Sequence, residues 1–541
     1  MRIKESPFYL FLLSMLSGFL FWLGWPDKPL SFFLFLAFVP LLMVESALSE
    51  RAIRRKGRKF LLYTYIALLT WNVLTTYWVY NATPAGGIFA MTVNALLMCI
   101  PLQLFYFTKR YTNNFIGYSS FIVYYLAFEY WHLNWELSWP WLTLGNGFAS
   151  LPILVQWYEY TGVLGGSLWV LLVNVLLFLT LRFYLLTEKK EFKKYLSVSL
   201  ALLLVPSLFS VIRYKTYVAK GKEVDVVVVQ PDIDPYNEKF PGNPKFIPYE
   251  QQFQRLISLS EQKLDSATDY LVWPETALPV DVYEPEIYEN NMVSNLSSFV
   301  KKYPGLSIVT GLDSYTIYDN EEEATPTARF SERLGYYDVF NSAMQVNNTG
   351  KIVLYHKSKL VPGVEQLPYP NVFGVLTKNL GGIVGTLGRQ EERTVFFNEK
   401  NIGIAPVICY ESIFGEFVGE YVKNGAELIF IITNDGWWGN TQGHKQHLQY
   451  ASLRAIEARK SIARSANTGI SGFIDQKGEI LVKNKYWEQD VLKAKLRAND
   501  VKTFYTRHGD YIGRWSLYIT IVLVVYAIVK RFKYRKTTSA F

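Results

Sequence analysis

The chain has 541 residues, of which 50% are hydrophobic, 16% aromatic and 19% charged. That balance excludes an ordinary soluble enzyme and a pure membrane bundle alike, because the apolar residues crowd into the first ~215 positions and the last ~30. The net charge of +9 lies beside apolar spans rather than along one face of the polar region, which argues for cationic flanks of membrane helices and against a nucleic-acid surface.

Apolar stretches near the ~20 residues needed to cross a bilayer as a helix run over Phe8–Trp25, Leu30–Leu48, Phe60–Tyr80, Gly87–Phe107, Phe115–Leu133, Leu164–Leu186, Tyr195–Ile212 and Trp515–Val529. The first lacks a small-residue cleavage site and is followed at once by another, so it reads as a retained helix. Arg2 and Lys4 precede the first stretch, Arg51, Arg54, Arg55, Lys56, Arg58 and Lys59 follow the second, and Lys109 and Arg110 follow the fourth. Lys189, Lys190, Lys193 and Lys194 follow the sixth, and Lys530, Arg531, Lys533, Arg535 and Lys536 the eighth. With eight spans every cluster falls on one side, which the positive-inside rule makes the cytoplasm. Residues 1–217 are then a seven-span bundle, 218–505 a domain outside the cytoplasmic membrane, and 506–541 a last span with a basic tail. Trp131, Trp135, Trp139 and Trp141, with Pro140 and Glu136, read as an aromatic belt at the outer interface.

The outer domain opens with Glu223-Val-Asp-Val-Val-Val-Val-Gln-Pro-Asp232, a β-branched run that suits a strand covered on both faces. A helix follows with Phe253, Leu256, Ile257 and Leu264 on one face, then a strand over Tyr270–Trp273. A second helix (Met292, Leu296, Phe299, Val300) precedes a strand over Leu306–Thr310, and strands near Val339–Val346 and Lys351–His356 are joined by Asn347-Asn-Thr-Gly350, a hairpin signal. Beyond Cys409 come a helix to Val422, a strand over Leu428–Thr433, a loop Asn434–Gly439, a helix over His444–Ala463 and a hairpin over Ser471–Val482. Alternating strands and helices with some hairpins predict one α/β layered domain.

Three residues stand where strands end: Glu275 in Trp273-Pro-Glu275, Lys357 after Tyr355-His356, and Cys409 in Val407-Ile-Cys-Tyr410. The only other cysteine, Cys99, sits in an apolar span, too far to bridge when a disulfide needs Cα atoms within ~7 Å, so Cys409 is a free thiol. A lone cysteine is more often structural than nucleophilic; its company changes that. Strand ends converge on one rim of an α/β sheet. There a carboxylate can take the thiol proton and a lysine can stabilise the oxyanion formed on an acyl carbon.

The Glu, Lys, Cys order, with Trp-Pro-Glu, Tyr-x-Lys and a Cys-Tyr-Glu turn, resembles the nitrilase superfamily, which implies a four-layer α-β-β-α sandwich and acyl chemistry. Leu360-Val-Pro362, Glu365, Asn434-Asp435, Trp437-Trp-Gly439, Arg454-Ala-Ile-Glu457 and Ser465-Ala-Asn-Thr-Gly469, on a domain framed by membrane helices, resemble the apolipoprotein N-acyltransferase family. The resemblance implies Glu275 as general base, Lys357 as oxyanion stabiliser and Cys409 as nucleophile. It assigns Glu365, Tyr410 and Glu411 supporting places in the site, the Tyr410 N–H as a second oxyanion donor. It also implies a phospholipid acyl donor, a diacylglyceryl-modified apolipoprotein acceptor, a monomer, no cofactor and no metal. Two departures stand out: the family's Val-Pro-Phe-Gly-Glu reads Val361-Pro-Gly-Val-Glu365 here, and a family tryptophan is matched by Phe240.

Other classes fare worse. His444 and His447 lack the intervening Glu of a zinc-protease helix and read as solvated helix residues. No glycine-rich phosphate loop follows a strand, and Glu45, Glu129 and Glu136 lie near span ends, not mid-span as in a transporter. A membrane-tethered amidohydrolase and an inactive sensor on the same scaffold are the alternatives. Acyl transfer between two lipids explains the membrane frame better, because at ~0.8 kcal/mol per buried CH₂ neither chain should leave the bilayer.

Overall fold

Helices form along every predicted apolar stretch: Pro7–Leu23, Ser31–Ser49 (a 3-10 turn leading into two α-helical pieces), Lys56–Thr76, Pro84–Tyr111, Asn114–Leu133, Tyr158–Leu185, Lys189–Thr216 and Tyr511–Thr538. The computed structural model describes residues 6–49, 55–369 and 386–538; of the predicted cytoplasmic cations, Arg2, Lys4, Arg51 and Arg54 lie outside them. Among the described residues, five of these helices are long and apolar enough to cross a membrane: Ser31–Ser49, Pro84–Tyr111, Tyr158–Leu185, Lys189–Thr216 and the Tyr511–Tyr534 part of the last. Pro7–Leu23 is shorter, and Lys56–Thr76 opens with Lys56, Arg58 and Lys59.

The helical unit comprises Met1–Thr216 and His508–Phe541, and its interior corrects one expectation. Trp141 is no belt residue: it is buried, its ring 4.7 Å from that of Trp78. Glu45 and Glu129 are buried too. Glu45 pairs with Lys109, and Glu129 accepts from the Leu144 N–H at 2.8 Å. Asn94 donates to Asn72 at 2.8 Å and meets His132 Nε2 at 2.9 Å, while Trp135 donates to His132 Nδ1 at 2.8 Å. A polar group in an apolar bundle costs free energy unless it finds such partners.

The second unit, Tyr217–Arg507, is the α/β domain. Its strands are β1 (Lys222–Gln230), β2 (Tyr270–Val272), β3 (Leu278–Tyr283), β4 (Ser307–Tyr318), β5 (Arg329–Ser331), β6 (Gly335–Asn347) and β7 (Ile352–His356). They continue with β8 (Phe396–Phe397), β9 (Gly403–Ile408), β10 (Leu428–Thr433), β11 (Ser461–Ala466), β12 (Gly472–Ile474), β13 (Ile480–Lys483) and β14 (Asp490–Ala498). One sheet runs β14-β1-β2-β4-β6-β5, with β3 beside β4 and β7 beside β6; the other runs β13-β12-β11-β10-β9-β8.

Helices Tyr249–Glu261 and Asn291–Val300 pack on the first sheet, and Gly415–Lys423 and Gln442–Ala458 on the second. The first pair buries Phe253, Leu256, Leu296 and Phe299 with Val227, Leu271 and Trp273 of the sheet side in one apolar core. The inner faces of the sheets meet where the Tyr270 and Phe430 rings stand perpendicular at 5.0 Å and Ser465 Oγ donates to the Val229 carbonyl at 2.7 Å. This is the expected α-β-β-α layering. Val226 to Val229 are fully buried because both faces of β1 are covered, the physical reason the run does not alternate.

Local readings differ in three places. The helix predicted over His444–Ala463 stops at Ala458, where Arg459 turns left-handed (φ 51°), and Ser461–Ala466 enters the sheet as β11. Strands β3 and β14 are not among the predicted elements: β14 mixes Lys493, Lys495 and Arg497 into its run, yet pairs antiparallel with all of β1. His444 and His447 are buried, not solvated.

Candidate active site

The topology brings the three strand-end residues to one place. β2 is parallel to β4, β6 is antiparallel to β4 and β7 is antiparallel to β6, so β2 and β7 run the same way. Glu275 and Lys357, each just past the end of its strand, therefore emerge on one edge. In the second sheet β9 and β10 are parallel and end in Cys409 and Asn434. The two edges meet where the Asn434 N–H donates to Glu275 Oε2 at 3.0 Å.

Lys357 is fully buried, its ammonium donating to Glu365 Oε1 at 2.7 Å and to Glu275 Oε1 at 3.2 Å. Asn341, on β6, sends its side-chain amide to Glu275 Oε1 at 2.8 Å and to Glu365 Oε1 at 3.3 Å, and accepts the Lys357 N–H on its carbonyl at 2.8 Å. No sequence motif singles out Asn341; only its place on β6, opposite Asp313 of β4, reveals it. The Val361-Pro-Gly-Val-Glu365 departure still delivers its carboxylate. Gly363 takes φ 82°, which favours glycine, and the turn closes with Val361 N–H on Glu365 Oε2 at 2.8 Å and Glu365 N–H on the Val361 carbonyl at 2.9 Å.

The charges reinforce one another. Burial opposes the Lys357 charge, but Glu275, Glu365 and Cys409 together hold its pKa well above the ordinary lysine value. Burial pushes the Cys409 thiol up, Glu275 adds to this, and Lys357 pulls back. Cys409 thus has a buried carboxylate and a buried cation within electrostatic reach.

The backbone is held in unusual shapes. Cys409 takes φ 49° and Thr276 φ 44°, left-handed positions that non-glycine residues keep only when their surroundings enforce them. Gly311 on β4 makes room for the second: a Cβ there would lie 2.4 Å from the Thr276 nitrogen and 2.6 Å from Glu275 Cα. The buried Lys239, whose charge burial disfavours, donates to Thr276 Oγ1. Its neighbour Phe240 is 38% exposed, as a ring facing outward must be.

Glu411 braces the two loops. Oε1 accepts from Tyr355 Oη at 2.7 Å, the Ser358 N–H at 2.7 Å and the Lys359 N–H at 3.3 Å, while Oε2 accepts from the Ile408 N–H at 2.9 Å. The segment bearing Lys357 is thereby tied to the segment bearing Cys409. Tyr410, beside it, is buried with its ring against Phe414 at 5.1 Å. Beneath Cys409 lies a buried cluster in which Asp435, from the Asn434-Asp435 motif, meets two residues that no motif marks, His447 and Arg464, with Asp435 Oδ1 3.0 Å from His447 Nδ1 and Arg464 on Asp435 Oδ2. Burial would raise the Asp435 carboxyl, but Arg464 and His447 hold it well below the usual range. The His444 imidazole, stacked 3.8 Å from Tyr486, is lowered by burial to about 4. No group of three or more metal-ligating side chains occurs among the described residues.

The arrangement combines a thiol, a carboxylate whose charge acts on it and a desolvated cation, a set suited to acyl transfer through the thiol. Comparison with known proteins agrees with that chemistry. Residues 228–505 match the carbon-nitrogen hydrolase family, and residues 17–176 match the apolipoprotein N-acyltransferase N-terminal domain. Apolipoprotein N-acyltransferase of Chlorobaculum tepidum is 31% identical, over 98% of this chain and 98% of that protein. Those of Geobacter metallireducens and Thermotoga maritima are 28% and 27% identical, over 94% and 95% of this chain and 92% of each relative. The chain belongs to the apolipoprotein N-acyltransferase family, within the carbon-nitrogen hydrolases.

Proposed function

We propose that this chain moves a fatty acyl group from a membrane phospholipid, through a thioester on Cys409, to the α-amine of the N-terminal S-diacylglyceryl-cysteine of an apolipoprotein. The observation that carries the reading is the buried Lys357 ammonium held by Glu275 and Glu365, with a left-handed, buried Cys409 beside it. Glu275 takes the thiol proton as Sγ adds to the donor's ester carbonyl. The oxyanion is met by Lys357 and the Tyr410 N–H. Collapse breaks the ester bond, and the departing lysophospholipid oxygen takes the proton from Glu275. The acceptor amine then attacks the thioester, loses a proton to Glu275 and leaves an amide, and the proton returns to the thiolate. Glu365, Tyr410 and Glu411 position the lysine and the nucleophile, and no cofactor or metal is needed.

The membrane frame is read as eight crossings, supported by the helices at all eight apolar stretches. Residues 1–217 and 506–541 are the membrane part, and 218–505 the catalytic domain on the extracytoplasmic side of a bacterial cytoplasmic membrane. The protein acts as a monomer.

Phospholipid alone should leave the protein heavier by one acyl chain on Cys409 and release one equivalent of lysophospholipid. A peptide with a free S-diacylglyceryl-cysteine amine should discharge it, and blocking that amine should stop discharge. Rapid loss of the adduct to free fatty acid without acceptor would make the protein a hydrolase, and absence of any adduct an inactive scaffold.

A further inference from the structure

The amide plane between Cys409 and Tyr410 carries both a carbonyl and an N–H. In a trans peptide these two groups point in opposite directions from one rigid plane, so whatever fixes the carbonyl aims the N–H. The Cys409 carbonyl is fixed twice. Ser412 Oγ donates to it at 2.7 Å, and His447 Nε2 stands 3.2 Å from it and 3.0 Å from Ser412 Oγ. The carbonyl can only accept, and the serine proton is already committed to it. With the serine proton on that carbonyl, the Nε2–H tautomer of His447 is the one that donates toward both oxygens.

Behind the ring the support is continuous. His447 Nδ1 is 3.0 Å from Asp435 Oδ1, Thr433 Oγ1 donates to the same oxygen at 2.9 Å, and Arg464 pairs with Oδ2. The side chains of His447, Asp435 and Arg464 are 0% exposed. Three buried ionisable side chains are costly to assemble and would be unnecessary merely to fill space. What they hold is a residue at φ 49°, where the backbone resists staying.

We infer that His447, backed by Asp435 and Arg464, is a positioning residue that turns the Cys409–Tyr410 peptide so that the Tyr410 N–H faces the oxyanion formed at Cys409. The inference rests on the acyl-thioester reading above. It adds a residue that acts through the backbone and touches no substrate.

Acylation develops a negative oxygen, whereas alkylation of the same thiol by iodoacetamide does not. Both rates are measured on the full-length protein in detergent–phospholipid micelles for wild type, His447→Gln and His447→Leu. Removing an oxyanion donor outright costs roughly 10²–10³ in rate, and losing its aim should cost part of that. His447→Leu should lower the ratio of acylation to alkylation by about tenfold or more. His447→Gln, whose amide N–H can reach the same carbonyl, should restore most of it. The thioester carbonyl stretch in ¹³C-edited infrared spectra should move to higher frequency in the leucine variant as its hydrogen bond weakens. If His447→Leu does not fold, Ser412→Ala removes the other donor to the same carbonyl and should lower the ratio in the same sense. Equal loss of both rates, or a ratio unchanged in every folded variant, would overturn the inference. Failure of the underlying reading looks different, because wild type would then form no thioester at all.

Discussion

Glu411 makes no contact with the reacting atoms in the proposed mechanism, yet its replacement should cost most of the activity. Its carboxylate accepts four hydrogen bonds, three from the segment carrying Lys357 and one from the Ile408 N–H just before Cys409. In Glu411→Gln the amide oxygen can serve either the Tyr355, Ser358 and Lys359 donors or the Ile408 donor, but its NH₂ must face the others. At least one buried N–H then loses its acceptor, which costs about 1–3 kcal/mol. At ~2–4 °C per kcal/mol for a domain of this class, the melting temperature should fall by roughly 2–12 °C, leaving the protein folded at 25 °C. Catalysis is more sensitive. The same carboxylate sets the spacing between Lys357 and Cys409, and a displacement near 1 Å can cost about 10²-fold. Thioester formation on Cys409, followed by intact mass beside a melting curve, should therefore slow about a hundredfold in a variant that has lost only a few degrees. A normal rate with a lowered melting temperature would show that Glu411 supports the fold but not the spacing. A variant unchanged in both would refute the hydrogen-bond argument itself.

The Cys409 thiol is pushed up by burial and then by Glu275, so wild-type alkylation by iodoacetamide should still be rising with pH beyond the ordinary cysteine range. Glu275→Gln removes the negative neighbour, which lowers the thiol pKa and increases thiolate at fixed pH 8. Alkylation should quicken while acylation slows by ~10²-fold or more, and a parallel fall in both rates would contradict the base assignment. For the eight-crossing arrangement, a reporter fused after Thr187 should be cytoplasmic and one inserted at Glu321-Glu-Glu-Ala324 extracytoplasmic; finding both on one side would refute it.

Much of the site is legible in the amino-acid order because acyl chemistry at a sheet edge places residues of distinct type at strand ends. Trp273-Pro-Glu275 and Tyr355-His-Lys357 each follow a short apolar strand, and Cys409 follows Gly403–Ile408. The residues that local pattern does not mark are those whose side-chain partners define the role. Asn341 sits in the middle of β6 among residues that read as ordinary strand. It becomes a ligand of two glutamates only because β7 pairs with β6 and returns Lys357 beside it. His447 carries a polar side chain on a helix of mixed character, a pattern that by itself predicts solvation. Packing of that helix on the second sheet buries the ring under Cys409 instead.

What the amino-acid order determined by itself was the division into an apolar frame and an α/β domain, the class of chemistry and three strand-end candidates to carry it. Each depends on composition over tens of residues or on a residue's identity at a strand end, and neither needs long-range contacts. Only the tertiary structure decided the end of the Gln442–Ala458 helix, the recruitment of the charged β14 to the edge of β1, the burial of Trp141 and the hydrogen bonds that aim the site. Those outcomes turn on partners distant in sequence. A lysine-bearing run becomes a strand when a waiting edge supplies its hydrogen bonds. A carboxylate such as Glu411 becomes a brace when folding delivers four donors to it, the nearest only three residues away and the farthest 56.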